Sequence, residues 1–177
     1  MKRLFYIRHG QTNTNVAGIF AGHYEAYLTE EGQRQATETG KHARGKLPHI
    51  DVIICSPLKR AHHTAELIAE ELRYPLDKIE VNTLFIERSF GALEGTVEQD
   101  FFATHAFHEL DTVHGSETVT ELEQRAKKAL EYLKSRKEEN ILVISHGSFG
   151  AAFVGAVRGF TYSHDKEPKN AELVELI

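Results

Sequence analysis

Apolar positions along this chain follow two different periods. Short runs at Arg3–Ile7, Asp51–Cys55, Ile79–Asn82, Asn140–Ser145 and Glu172–Ile177 have the length and β-branched character of buried strands. Between them lie longer stretches in which apolar residues recur every three or four positions. Ala61, Ala65, Ile68 and Leu72 form one such stripe, and Val119, Leu122, Ala126, Leu130 and Leu133 form another. Thr29 stands before Glu30 and Glu31, a hydroxyl N-cap followed by acids in the first turn, and predicts a helix to about Lys46. Pro57 is expected in the first turn of the helix that carries Ala61. Strands alternating with helices predict an α/β fold.

Composition adds exclusions. The 177 residues contain no internal repeat or convincing linker, which predicts a single domain over 1–177. A domain of that size buries roughly 70% of its unfolded surface and needs no staples. Cys55 has no second cysteine to bridge to, and no N-terminal segment has the layout of a secretion signal. The longest apolar runs fall far short of a bilayer span, so no membrane association and a cytoplasmic location are expected. Net charge is −5, from 26 acidic and 21 basic residues, with no block of lysine and arginine, so nucleic acid is not an expected partner.

The chemistry concentrates where two apolar runs end. Leu4–Ile7 leads into Arg8-His9-Gly10, and Ile141–Ile144 leads into Ser145-His146-Gly147. Ligands of open α/β sheets bind at the carboxyl ends of the strands, so His9 and His146 would face one bound group if their strands are neighbours. Arg8 and Arg60 are suited to clamping a phosphate, since unit charges ~4 Å apart interact by about 4 kcal/mol at an effective dielectric of 20. Neighbouring cations would keep His9 neutral, the state a nucleophilic imidazole requires. Glu87 stands next to apolar residues that would desolvate its carboxyl and favour a proton-donor role. Each residue alone is also compatible with an ordinary structural role.

Taken together, Arg8-His9-Gly10 with Asn15, Leu28-Thr29 with Gly32, Ser56-Pro57-Leu58 with Arg60 and Thr64-Ala65, Glu87 with Phe90-Gly91 and Glu94-Gly95, and Ser145-His146-Gly147 resemble the histidine phosphatase superfamily, also called phosphoglycerate mutase-like. The resemblance runs from residue 3 to the C-terminus. It implies a three-layer sandwich around a mostly parallel central sheet. It implies that His9 becomes a phosphohistidine, that Arg8, Arg60 and His146 form the phosphate pocket, and that Glu87 is the proton donor. Asn15, Gly22 and Gly147 would line the pocket's edge. Ala21, Tyr27 and Leu93 depart from the usual pattern without removing a catalytic group.

The family contains mutases and phosphatases. Mutases resembling this family carry a long insertion with extra basic residues for a second anionic group. Here the segment 96–116, expected to form a short lid, has no lysine or arginine and carries Glu98, Asp100, Glu109 and Asp111. This favours a phosphatase acting on a small phosphorylated metabolite, unless Lys166 or Lys169 brings a cation to the site. A bisphosphate-dependent mutase and a non-catalytic phospho-ligand or partner-binding domain are the alternatives. Phe101, Phe102 and Phe107 could grip an apolar part of a substrate, but at this spacing they are expected to pack the segment onto the core. His105, His108 and His114 match no metal-ligand spacing, and no metal or cofactor is expected. Cys55 and Arg60 are one residue too close for a cysteine-dependent phosphatase. His146-Gly147-Ser148-Phe149-Gly150 lacks the first glycine of a serine-hydrolase elbow.

Overall fold

The computed structural model describes residues 3–177, so the first two residues of the expected domain lie outside it. The chain runs β1 (Arg3–Arg8), α1 (Asn13–Ala17), α2 (Glu30–Lys46), β2 (Val52–Cys55), α3 (Lys59–Leu72), β3 (Glu80–Val81), α4 (Glu98–Phe102), α5 (Val119–Ser135), β4 (Asn140–Ser145), α6 (Ser148–Arg158) and β5 (Leu173–Glu175), with short helical turns between. The strands form one sheet in the order β3-β2-β4-β1-β5. All pairings are parallel except that of β5 with β1. β1 and β4 are therefore neighbours, and their register sets Arg8 opposite Ser145.

Alternate side chains of the central strands feed two cores. Leu4, Tyr6, Val52, Ile54, Ile141 and Val143 pack against Leu122, Ala126 and Leu130 of α5 and Phe149 and Phe153 of α6. Phe5, Ile7, Ile53, Cys55, Leu142 and Ile144 pack against Ala61, Ala65, Ile68 and Ala69 of α3. Burial on both faces explains why these strands read as continuous apolar runs rather than as alternating ones. α2 lies on α3, and at Gly40 an added Cβ would stand 2.8 Å from Cβ of Glu71, so the close approach of the two helices needs a glycine there.

The sequence expectations hold for the strands and for the helices α2, α3 and α5, with differences at their ends. The Thr29 hydroxyl accepts the Gly32 N–H and caps α2, which runs to Lys46. Pro57 lies outside α3: Leu58 is an extended N-cap and the helix starts at Lys59. β3 is shorter than the run Ile79–Asn82, because the Asn82 side chain accepts the Leu84 N–H and turns the chain away. The expectation for the three phenylalanines is corrected. Phe101, Phe102 and Phe107 belong to neither core, and Phe102 is 38% exposed. Phe20 packs against both Phe101 and Phe102, Phe102 stacks on Phe107, and Phe107 reaches Tyr162 and His164. No helix among the described residues is long and apolar enough to cross a membrane.

Candidate active site

Adjacency of β1 and β4 brings the two histidines together. The His9 N–H donates to the Ser145 carbonyl at 2.9 Å, continuing the ladder by one residue, and the two imidazoles meet edge-on with centroids 5.2 Å apart. Both are buried. Burial holds each well below the usual histidine range, and the guanidinium groups of Arg60 and Arg8 push in the same direction. The expected cationic effect on His9 is present, but desolvation is the larger cause.

Hydrogen bonds fix what each ring offers. His9 Nδ1 lies 2.8 Å from the Gly10 carbonyl oxygen, which only accepts, so Nδ1 carries the proton and Nε2 keeps its lone pair. His146 Nε2 lies 2.7 Å from Ser56 Oγ, which itself accepts the Leu58 N–H. Nε2 is the one acceptor placed for the Ser56 proton among the described residues, which assigns the proton on His146 to Nδ1. That nitrogen is buried without a partner among them. The Tyr6 hydroxyl donates to the His146 carbonyl at 2.7 Å and accepts its N–H at 3.0 Å, pinning the residue at the strand end.

Two guanidinium groups adjoin the histidines. Arg60, 2% exposed, is held by the carbonyls of Gly22 at 2.6 Å and Tyr24 at 3.0 Å. Arg8 is held by the Pro168 carbonyl at 2.9 Å and Glu167 at 3.5 Å. Nε of each is buried and lacks an acceptor, so both arginines retain donors for an anion. Thr64, one turn beyond Arg60 on α3, accepts the Gly10 N–H and donates to the Arg60 carbonyl, tying the His9 turn to α3.

Glu87 is arranged differently from the expectation. Polar groups, rather than apolar ones, meet its carboxylate: Oε1 accepts the N–H of Arg88 and of Phe149, both at 2.8 Å, and Oε2 accepts those of Gly147 at 3.0 Å and Ser148 at 3.3 Å. Its carboxyl oxygens cap α6, whose first N–H groups have no other acceptor. Arg125 on α5 steadies the approach by donating to the carbonyls of Leu84, Ile86 and Glu87.

A cleft of about 70 Å³ is lined by Arg8, His9, Arg60 and Glu87 together with Asn15 and Gly22. Asn15 also closes the capping box of α1, and Gly22 (φ +46°) takes a conformation that favours glycine. Gly147 is placed behind the cleft: its N–H is engaged by Glu87, and an added Cβ would stand 2.9 Å from the Arg8 guanidinium. A larger hollow of about 600 Å³ lies beside the amino end of β2 and contains none of these residues, so size does not locate the site. Burial pushes the Cys55 thiol up to about 12, which removes it as a nucleophile.

Glu98 and Phe107 of the expected lid segment also line the cleft, and so do His164 and Glu167, which sequence reasoning missed. Glu167 accepts from Ser148 at 2.6 Å and lies 3.0 Å from His164. Lys166, considered earlier as a source of positive charge, stands over the Phe160 ring, and neither it nor Lys169 lines the cleft. Asn170 donates to the His9 carbonyl at 3.0 Å. Tyr6 and Ser56 sit inside motifs that were recognised, but only their contacts reveal what they do.

Comparison with known proteins shows the family of the chain. A family model described as histidine phosphatase superfamily (branch 1) matches residues 4–176. The chain is 33% identical over 154 residues to an adenosylcobalamin/alpha-ribazole phosphatase of Escherichia coli, covering 81% of this chain and 73% of that protein. It is 35% identical over 151 residues to a metal-independent phosphoserine phosphatase of Arabidopsis thaliana, covering 80% and 62% respectively. In fold it is similar to a solved mycobacterial glucosyl-3-phosphoglycerate phosphatase, with a TM-score of 0.83, 24% identity, and coverage of 99% and 92%.

Proposed function

The chain belongs to the histidine phosphatase superfamily and is an enzyme of its phosphatase type, and on that premise we propose that it hydrolyses a small phosphomonoester without a metal, through a phosphohistidine on His9. The observation that carries this reading is the state of His9: a buried, neutral imidazole with its proton tied to the Gly10 carbonyl and its Nε2 lone pair free, beside Arg8 and Arg60. Nε2 attacks phosphorus in line with the ester bond. The P–N bond forms as the P–O bond breaks, and the guanidinium groups with His146 Nδ1–H stabilise the equatorial oxygens. Glu87, in the same cleft, delivers a proton to the departing alkoxide. Its longest contact, to the Ser148 N–H at 3.3 Å, is the one most readily given up on protonation. Water then attacks phosphorus, its proton passes to Glu87, and the P–N bond breaks to release inorganic phosphate and free His9.

Water, rather than a second phosphorylated substrate, is the acceptor this cleft favours. Among the described residues the only lysine or arginine side chains in its lining are Arg8 and Arg60, and beyond the reacting His9 and Glu87 its ionisable wall is Glu98 and Glu167 with His164. A bisphosphate would meet repulsion at its second anionic group.

The test is hydrolysis of p-nitrophenyl phosphate between pH 5 and 8 with a chelator present, by the protein and by His9→Ala. Turnover by the first and none by the second is expected. Substantial activity in His9→Ala would remove His9 as the nucleophile, and turnover that appears only after incubation with 2,3-bisphosphoglycerate would favour the mutase reading.

A further inference from the structure

The outer wall of the cleft differs in character from its phosphate end. Apart from Arg8, Arg60, His9 and Glu87, the ionisable side chains lining it among the described residues are Glu98, Glu167 and His164, beside the ring of Phe107. Two of these three already pair: Glu167 lies 3.0 Å from His164 and 3.5 Å from Arg8. Glu98 has no ion pair among the described residues, although it stands close enough to Arg8, Glu167 and His164 to feel the charge of each. Its carboxyl is raised above the usual range, first by burial, with His164 and Arg8 pulling it down and Glu167 pushing it up. A carboxylate half withdrawn from water and unpaired is stabilised by any cation that arrives beside it.

The aromatic surroundings suit the same visitor. Phe107 stacks on His164 with centroids 4.8 Å apart, and the Arg88 guanidinium stands 5.9 Å from its centroid, so the ring already has one cationic neighbour. A carboxylate and an aromatic face are the two groups that recognise an ammonium.

We propose that the preferred substrate is a phosphomonoester of a short amino alcohol, with its ammonium group facing Glu98 and the Phe107 ring while its phosphate lies between Arg8 and Arg60. This rests on the phosphomonoesterase reading above and sets the chemical class of its leaving group. An anionic alcohol of the same length meets Glu98 and Glu167 and is disfavoured. A unit charge about 5 Å from Glu98 in a half-exposed wall, with solvent screening, changes kcat/KM by about tenfold in either direction.

Three esters of matched length test this: O-phosphoethanolamine, n-propyl phosphate and 2-phosphoglycolate, with p-nitrophenyl phosphate as the control for activity. We expect kcat/KM to fall about tenfold at each step from the cationic to the neutral to the anionic ester. In Glu98→Gln the ratio of cationic to neutral ester is expected to shrink to about two. A cationic-to-neutral ratio at or below one, with p-nitrophenyl phosphate still hydrolysed, overturns the inference and leaves the phosphatase reading intact. A ratio unchanged by Glu98→Gln overturns the assignment to Glu98. If none of the esters is hydrolysed, p-nitrophenyl phosphate included, the phosphatase reading fails and the inference fails with it.

Discussion

Replacing Glu87 with alanine is expected to weaken the fold as well as the chemistry. Catalytic groups are often held at some cost to stability, so their removal commonly leaves a protein as stable as before or more so. Glu87 is a different case, because its carboxylate accepts four backbone N–H groups, three of them from the first turn of α6. Alanine leaves those donors buried without an acceptor, except where water enters from the adjoining cleft. An unsatisfied buried donor costs roughly 1–3 kcal/mol, and the lower end applies beside water, which gives about 4 kcal/mol for the set. For 177 residues and an unfolding entropy of about 2.1 cal/mol/K per residue, that lowers Tm by about 11 °C. Glu87→Gln keeps one carbonyl oxygen but turns an NH2 toward two N–H groups, and should fall about halfway between. Thermal unfolding of the three proteins by calorimetry, without phosphate in the buffer, gives the comparison. A Glu87→Ala protein that melts within about 2 °C of the parent would refute the capping argument. An intermediate Glu87→Gln melting point with turnover abolished would separate the structural role of the residue from its chemical one.

Two other consequences can be measured. His9 and His146 are held neutral in the fold well below the usual range, while an unfolded histidine titrates near about 6.5, so the unfolded chain takes up protons first and stability falls as pH drops below that value. The loss between about pH 6.5 and 5.5 is about 1 kcal/mol per histidine. Urea unfolding at three pH values should show a slope about 2 kcal/mol steeper in the parent than in the double variant His9→Asn, His146→Asn, and equal slopes would contradict the buried neutral state. Ser56→Ala releases the His146 tautomer, so kcat should fall by about tenfold or more with KM nearly unchanged. Unaltered kcat would show that His146 does not depend on the Ser56 hydroxyl.

Periodicity was enough to place the strands and the helices α3 and α5, because a strand buried on both faces must be apolar throughout and an amphipathic helix must repeat near 3.6. The runs Arg3–Ile7 and Asn140–Ser145 identified β1 and β4, and each ends at its histidine. Thr29 and the acids behind it marked the start of α2. Pro57 misled by two residues, because proline is tolerated both in a first turn and just before one. The phenylalanines of segment 96–116 were misjudged because an aromatic spacing does not say whether it meets a core or, as here, another aromatic group such as Phe20.

The sequence by itself determined which chemical groups this protein possesses and in what order, since strand ends, caps and motifs are local properties of neighbouring residues. Tertiary structure alone decided how those groups are poised. Pairing of β1 with β4 brought together histidines 137 positions apart, the difference between 146 and 9. Seating Glu87 on the first N–H groups of α6, and setting Ser56 against His146, likewise joined distant segments. The electrostatic environment of a side chain depends on what lies within a few ångströms in space, and in a folded sheet those neighbours come from strands that the chain itself keeps far apart.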